Sequence, residues 1–242
     1  MEHILNYTKE EISGLLEKGG FPAYRSKQLY QWLHTKYVSD VNEMNNLPVN
    51  LRQWLINNYN CDFPKVIKEQ VSKIDGTTKF LIELTDKQSV ETVLMFHGGK
   101  AGKQRKTLCI SSQVGCPIGC VFCATGKMGL KRNLATGEIV GQILAVSKMY
   151  GKLDNVVYMG MGEPLLNYAN VLKSIKIIID EMGLNFSSRK ITISTCGLVP
   201  EIKKLSEEKI PLTLAISLHA TNNELRNTLV PINKKYPLEV LL

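Results

Sequence analysis

The sequence predicts an α/β protein: a partial (βα) barrel of about four βα units, preceded by a small helical accessory domain and a β-hairpin segment. Three observations carry that expectation. Apolar residues recur at helical spacing over residues 1–60, alternate at strand spacing over 61–97, and then form strand-like and helix-like runs in turn from about residue 107. With 242 residues, 44% of them hydrophobic and 21% charged, the chain can bury a core and is too apolar for general disorder. No apolar run reaches the roughly 18 residues of a membrane span. The N-terminus, MEHILNYTKEEISGL, lacks the pattern of a signal peptide, so a cytoplasmic protein with no membrane partner is expected.

Thr8 followed by Glu11 is a capping-box signature, with Ile12, Leu15 and Leu16 on the face behind it. Leu29, Trp32 and Leu33 repeat the helical stripe, and Pro48 opens a third helix carrying Leu51, Trp54 and Leu55. Both Trp residues read as core rather than as stacking platforms. Strands at 66–73 and 78–85 flank Asp75-Gly76, a dipeptide favoured in tight hairpin turns, and a further strand is expected at 89–96. HGGKAGKQRK, residues 97–106, reads as a basic glycine-rich loop or boundary. Its Lys100, Lys103, Arg105 and Lys106 suit phosphate contacts or a solvated linker equally well.

Strands then follow at 107–112, 155–159, 190–194 and 212–218. The helices between and after them fall at 136–149, around Val171, Ile175 and Ile178, after Pro200, and near Leu225. Such alternation implies a parallel sheet with right-handed crossovers. Four units are too few to close an eight-stranded barrel, and the ending PLEVLL resembles a helix cut short, so a C-terminally truncated chain is expected. The implied division is 1–60 helical accessory, 61–97 hairpin extension and 98–242 core.

A net charge of +8 fits a polyanionic partner such as nucleic acid as readily as it fits simple solubility. Six cysteines without an export signal point away from a disulfide scaffold and towards metal or redox chemistry. Cys116, Cys120 and Cys123 are spaced C-x3-C-x2-C, so three thiolates on a tight loop can face a common centre. Three ligands leave one iron of a four-iron cluster open. A zinc site would need a fourth, for which Cys109, Cys196 and His219 are candidates.

That cysteine spacing after a first strand, with the aromatic Phe122 before the last cysteine, resembles the radical S-adenosylmethionine (SAM) superfamily. LCISSQVGC, CVFCATGKMGL, YMGMGEPLLN, ITISTCG and SLHA, in that order, resemble the RlmN/Cfr family of RNA adenine methyltransferases. Pro164 after Glu163 suits the RlmN form. The resemblance implies a radical-SAM barrel in which Cys116, Cys120 and Cys123 hold a [4Fe-4S] cluster and SAM binds the open iron. Gly162, Glu163, Ser194, Ser217, Leu218 and His219 match the family's SAM-contacting positions. Cys109 matches the cysteine that resolves an RNA–protein crosslink by forming a disulfide with a methyl-carrying cysteine, and Glu91 matches the proton acceptor.

Without the resemblance, Glu91 would be a solvated strand carboxylate, Ser194 and Ser217 strand-end hydroxyls, and His219 a structural histidine. The family's methyl-carrying cysteine and a SAM-contacting asparagine fall beyond residue 242. Neither Cys61 nor Cys196 matches the methyl carrier, and Cys196 reads as packing. The implied substrates are carbon 2 of an adenosine in 23S rRNA and an adenosine of a tRNA anticodon loop, with an electron donor such as flavodoxin and a monomeric enzyme. The alternatives are a C8-specific Cfr-type methyltransferase, a radical-SAM enzyme with another substrate, and a non-catalytic RNA-binding remnant.

Overall fold

The structure, a computed structural model, describes residues 1–98 and 104–242. Helix α1 (Lys9–Lys18) begins at the predicted box: Glu11 N donates to the Thr8 hydroxyl at 3.3 Å, and Thr8 N to the Glu11 carboxylate at 2.8 Å. Helices α2 (Arg25–His34) and α3 (Val49–Asn58, directly after Pro48) follow. Leu29, Leu33, Leu51 and Leu55 are fully buried, and Trp54 packs between Phe21 and Tyr59, so both the stripe and the Trp residues serve the core. A two-residue strand, Glu2–His3, pairs in parallel with Tyr59–Asn60 and ties the chain start to the end of α3.

Next come β1 (Lys65–Val71), β2 (Thr78–Glu83), β3 (Ser89–His97) and β4 (Arg105–Cys109). The loop after β1 is longer than the expected tight turn: Ser72 N bonds Thr77 O at 2.8 Å, and Asp75-Gly76 lies inside that closure with Gly76 at φ +74. The basic stretch is also not all loop. His97 and Arg105 are paired strand residues, and Lys106 Nζ donates to Tyr150 O, so Lys106 is already occupied. Lys100 and Lys103 lie outside the described residues.

The strand expected at 107–112 stops at Cys109, and a hairpin of β5 (Gln113–Gly115) and β6 (Leu130–Asn133) follows. Helix α4 (Ala124–Lys127) stands inside that hairpin. Helix α5 (Thr136–Tyr150) leads to β7 (Asn155–Tyr158), α6 (Tyr168–Ile179), β8 (Ile191–Thr195), α7 (Val199–Glu207), β9 (Thr213–Ile216), α8 (Asn223–Leu229) and α9 (Leu238–Leu241).

Seven strands form one sheet in the order β9-β8-β7-β4-β3-β2-β1. β4, β7, β8 and β9 run parallel, as the βα alternation predicts, while β1 to β4 are antiparallel neighbours. The hairpin segment therefore extends the parallel sheet. Helix α5 is buried along most of its length because it has company on two sides. Gly137 N donates to Asn6 Oδ1 at 2.7 Å, and a Cβ on Gly141 would meet Pro64 Cδ at 2.7 Å. Tyr30 donates to Ile177 O at 3.3 Å, and Glu11–Lys173 and Lys9–Asp180 ion pairs fasten the N-terminal helices to α6 and the turn after it.

Candidate cluster and cofactor site

Except for Glu91, which lies within the antiparallel strand β3, the predicted site residues lie at or just after the C-terminal ends of the parallel strands, where open α/β sheets and barrels place their ligands. Cys109 ends β4, the Gly160–Glu163 loop follows β7, Ser194 to Gly197 close β8, and Ser217 to His219 follow β9. Strand register shows which side chains share a face. Cys109 stands opposite both Val93 and Val157, and Val157 opposite Thr192. Glu91 and Ser194 are each two residues from a member of that row, so Glu91, Cys109 and Ser194 project from one face of the sheet. Ser194 and Ser217 join through their hydroxyls at 3.0 Å.

The cysteine loop is shaped by glycine. Gly115 has φ +80, and a Cβ there would stand 1.8 Å from Gly129 O, while Cys116 N donates to that same carbonyl at 3.0 Å. Only glycine lets the two arms of the β5–β6 hairpin meet at the first cysteine. At the far end Cys123 caps α4, its sulfur accepting from Gly126 N at 3.4 Å. Burial pushes the Cys116 thiol up to about 11 and raises that of Cys120, so filling the site with thiolate ligands releases protons.

The donor set, three soft sulfurs on a short glycine-shaped loop, fits an iron–sulfur cluster. Among the described residues no three His, Cys, Asp or Glu side chains converge tightly enough to hold a single metal ion. Thiolates on a four-iron cluster each bind a separate iron and stand further apart than ligands to one ion.

Phe122 and His219 bring the cysteine loop and the end of β9 together, with ring centroids 4.5 Å apart and planes at 52°. His219 is held at φ +60. Glu163 is a buried brace: its Oε2 accepts from Cys196 N at 2.8 Å and its Oε1 from Leu165 N at 3.1 Å, and burial raises its pKa. Gly162, at φ +107, leaves no room for a Cβ, which would fall 2.7 Å from Gln113 Cβ. Glu91 is half exposed, its carboxylate 2.8 Å from Lys79 Nζ and its carbonyl bonded to the Ser111 hydroxyl at 2.6 Å. Burial pushes the Cys109 thiol up to about 11, and no hydrogen bond joins Cys109 to Glu91 among the described residues.

Cys196 and Cys61 are buried, and all six cysteines are free. Two polar residues that the sequence reading did not single out complete the frame. Gln113 Oε1 accepts from Glu163 N at 2.8 Å, and Asn167 Nδ2 donates to Ser112 O at 2.9 Å and Leu134 O at 2.7 Å. A cavity of about 960 Å³ lies away from this site; it is lined by His3, Asp62, Asp86, Arg132 and Glu138. Arg132 there is already paired with both Asp86 and Glu138 at 2.7 Å.

Residues 110–242 match the family model of the radical SAM superfamily, and residues 3–60 match that of the ribosomal RNA large subunit methyltransferase N-terminal domain. A "probable dual-specificity RNA methyltransferase RlmN" of Dictyoglomus turgidum is 49% identical over the whole chain, which covers 69% of that protein. A protein of the same description from Thermotoga maritima is 47% identical, again over the whole chain and 69% of its own length. The crystal structure of a radical SAM methyltransferase from Sphaerobacter thermophilus superimposes with a TM-score of 0.93 at 41% identity, covering all of this chain and 70% of that one. Members of the superfamily use a [4Fe-4S] cluster and SAM. The chain belongs to the RlmN family of radical SAM RNA methyltransferases.

Proposed function

We propose that this chain is the cluster- and SAM-binding portion of a methyltransferase acting on carbon 2 of an adenosine in 23S rRNA and of a tRNA anticodon-loop adenosine. Cys116, Cys120 and Cys123 hold the cluster, and Gly162, Glu163, Ser194, Ser217, Leu218 and His219 form the SAM site. The cluster supplies, when bound, the electron that makes SAM a radical source and so allows chemistry at an electron-poor ring carbon. The Ser194–Ser217 pair offers polar contacts at the strand ends, and the tilted Phe122–His219 contact ties the cysteine loop to the end of β9.

Glu91 accepts the proton lost from the base, and Cys109, as thiolate, attacks the sulfur of the cysteine whose methylene carbon has bonded to the base: the S–S bond forms as the sulfur–carbon bond breaks, and that carbon keeps the electron pair and takes a proton to become the new methyl group. That partner cysteine belongs to the part of the family pattern beyond residue 242. The single observation that best supports this reading is the shared sheet face of Glu91, Cys109 and Ser194. Residues 1–60 form the accessory RNA-binding unit, 61–97 the hairpin extension and 98–242 the radical-SAM core; the net charge of +8 is compatible with an RNA partner. The base must leave its stack to reach such a site. A flavodoxin-like donor, a monomeric state and a cytoplasmic location belong to the same reading.

Electron paramagnetic resonance of the anaerobically reconstituted, reduced protein tests it. A four-iron signal that changes on adding SAM is the expected result. An iron-free protein, or a cluster indifferent to SAM, overturns the assignment of these residues.

A further inference from the structure

Arg226 on α8 has no solvent-exposed surface, and no carboxylate among the described residues lies within ion-pair distance of it. Its acceptors are all neutral. Nε donates to Leu218 O at 3.0 Å, Nη2 to Cys196 O at 2.6 Å and Nη1 to Asn233 Oδ1 at 2.6 Å. A guanidinium has five N–H donors, and the others have no acceptor among the described residues. Burying a cation without a counter-charge costs several kcal/mol and is seldom the best way to fill a core. A fold that keeps one implies an anion that arrives later.

The surroundings identify where. Leu218 and Cys196 lie just past the ends of β9 and β8, beside the proposed SAM contacts Ser217, His219 and Ser194. The same helix reaches the cysteine loop, with Val121 N donating to Leu229 O at 3.2 Å. Residue 196 is gripped from both sides, its N–H by Glu163 and its carbonyl by Arg226.

We infer that Arg226 is the buried counter-charge of the iron–sulfur site and the positioning residue that locks the β8 and β9 ends to the cysteine loop. This rests on the cofactor reading above. Three thiolates outweigh the charge of an oxidised four-iron core, and the SAM carboxylate adds another negative charge. The occupied site thus supplies the anion that the described residues lack. A nearby cation stabilises the reduced, more negative cluster and raises its reduction potential.

The test compares wild type, Arg226→Lys and Arg226→Gln after anaerobic reconstitution. It reads iron per chain, midpoint potential by paramagnetic resonance, and the SAM concentration that half-saturates the spectral change. Arg226→Gln is expected to shift the potential to more negative values and to need roughly tenfold more SAM, as for one lost charge-assisted contact. Arg226→Lys restores the potential but not the SAM requirement, because an ammonium keeps the charge and loses the planar fork. Equal potentials and equal SAM dependence at equal iron content overturn the inference. A wild type that takes up no iron defeats the cofactor reading instead. Should Arg226→Gln fail to fold, Arg226→Lys carries the test: a raised SAM requirement at equal iron content supports the inference, and a SAM dependence equal to that of wild type overturns it.

Discussion

Glu163 holds two backbone N–H groups that no other acceptor among the described residues serves, those of Leu165 and Cys196. Replacing it with alanine strands both in a buried place, at a cost of about 1–3 kcal/mol each. We expect Glu163→Ala to lower the melting temperature of the cofactor-free protein measurably. A residue that only touched SAM would leave that melting temperature unchanged, so calorimetry without SAM separates the two roles. Cys109 makes a second prediction. Its thiol is pushed up to about 11, so its thiolate fraction keeps rising about tenfold per pH unit beyond the ordinary range. Peptide-resolved alkylation with iodoacetamide should show a Cys109 rate still climbing between about pH 8 and 10, and a plateau near 9 would contradict the burial of its sulfur.

At the scale of elements, the β5–β6 hairpin depends on one contact. Gly115→Ala forces a methyl group onto Gly129 O in a residue already at positive φ, so the hairpin must open next to Cys116. Reconstituted protein should then hold much less iron than wild type, as measured by colorimetric iron assay, while far-ultraviolet circular dichroism stays close to that of wild type. This hairpin was not legible in the sequence. Its arms, QVG and LKRN, are too short for a period-2 pattern, and the pairing is set by the distant approach of Gly129 rather than by local propensity. The long helix α5 and the parallel strands were legible, because continuous apolar runs broken by glycine and charge mark them. Arg226 was not, since a lone arginine in NELRNTL reads as solvated until the fold closes over it. Lys106 differs in the opposite sense: a basic run suggests free cations, and the end of α5 gives this one the Tyr150 carbonyl.

At the scale of the whole molecule, stability should depend on pH through His34. The ring is wholly buried at the end of α2 against Tyr30, with ring centroids 4.2 Å apart, and neither nitrogen has a partner among the described residues. Burial depresses its pKa from 6.5 to about 3. Below pH 6.5 the unfolded chain takes up a proton that the folded chain refuses, so stability is full above that pH and is lost progressively as the pH falls towards 3. Between neutrality and about pH 4.5 the loss should approach about 2 kcal/mol. His34→Phe should flatten that part of the curve in urea titrations; an equally acid-labile variant would place the effect elsewhere.

Helix α5, enclosed by the sheet on one flank and by Ile4–Asn6 and Pro64 on the other, has a further consequence. The flank of its first half cannot meet solvent until the chain start has peeled away, so that start acts as a closing clamp of the core rather than as a detachable module. Hydrogen exchange should therefore show α5 and the N-terminal helices opening in one cooperative step. A protease cutting near Asn60 should leave two pieces that remain associated.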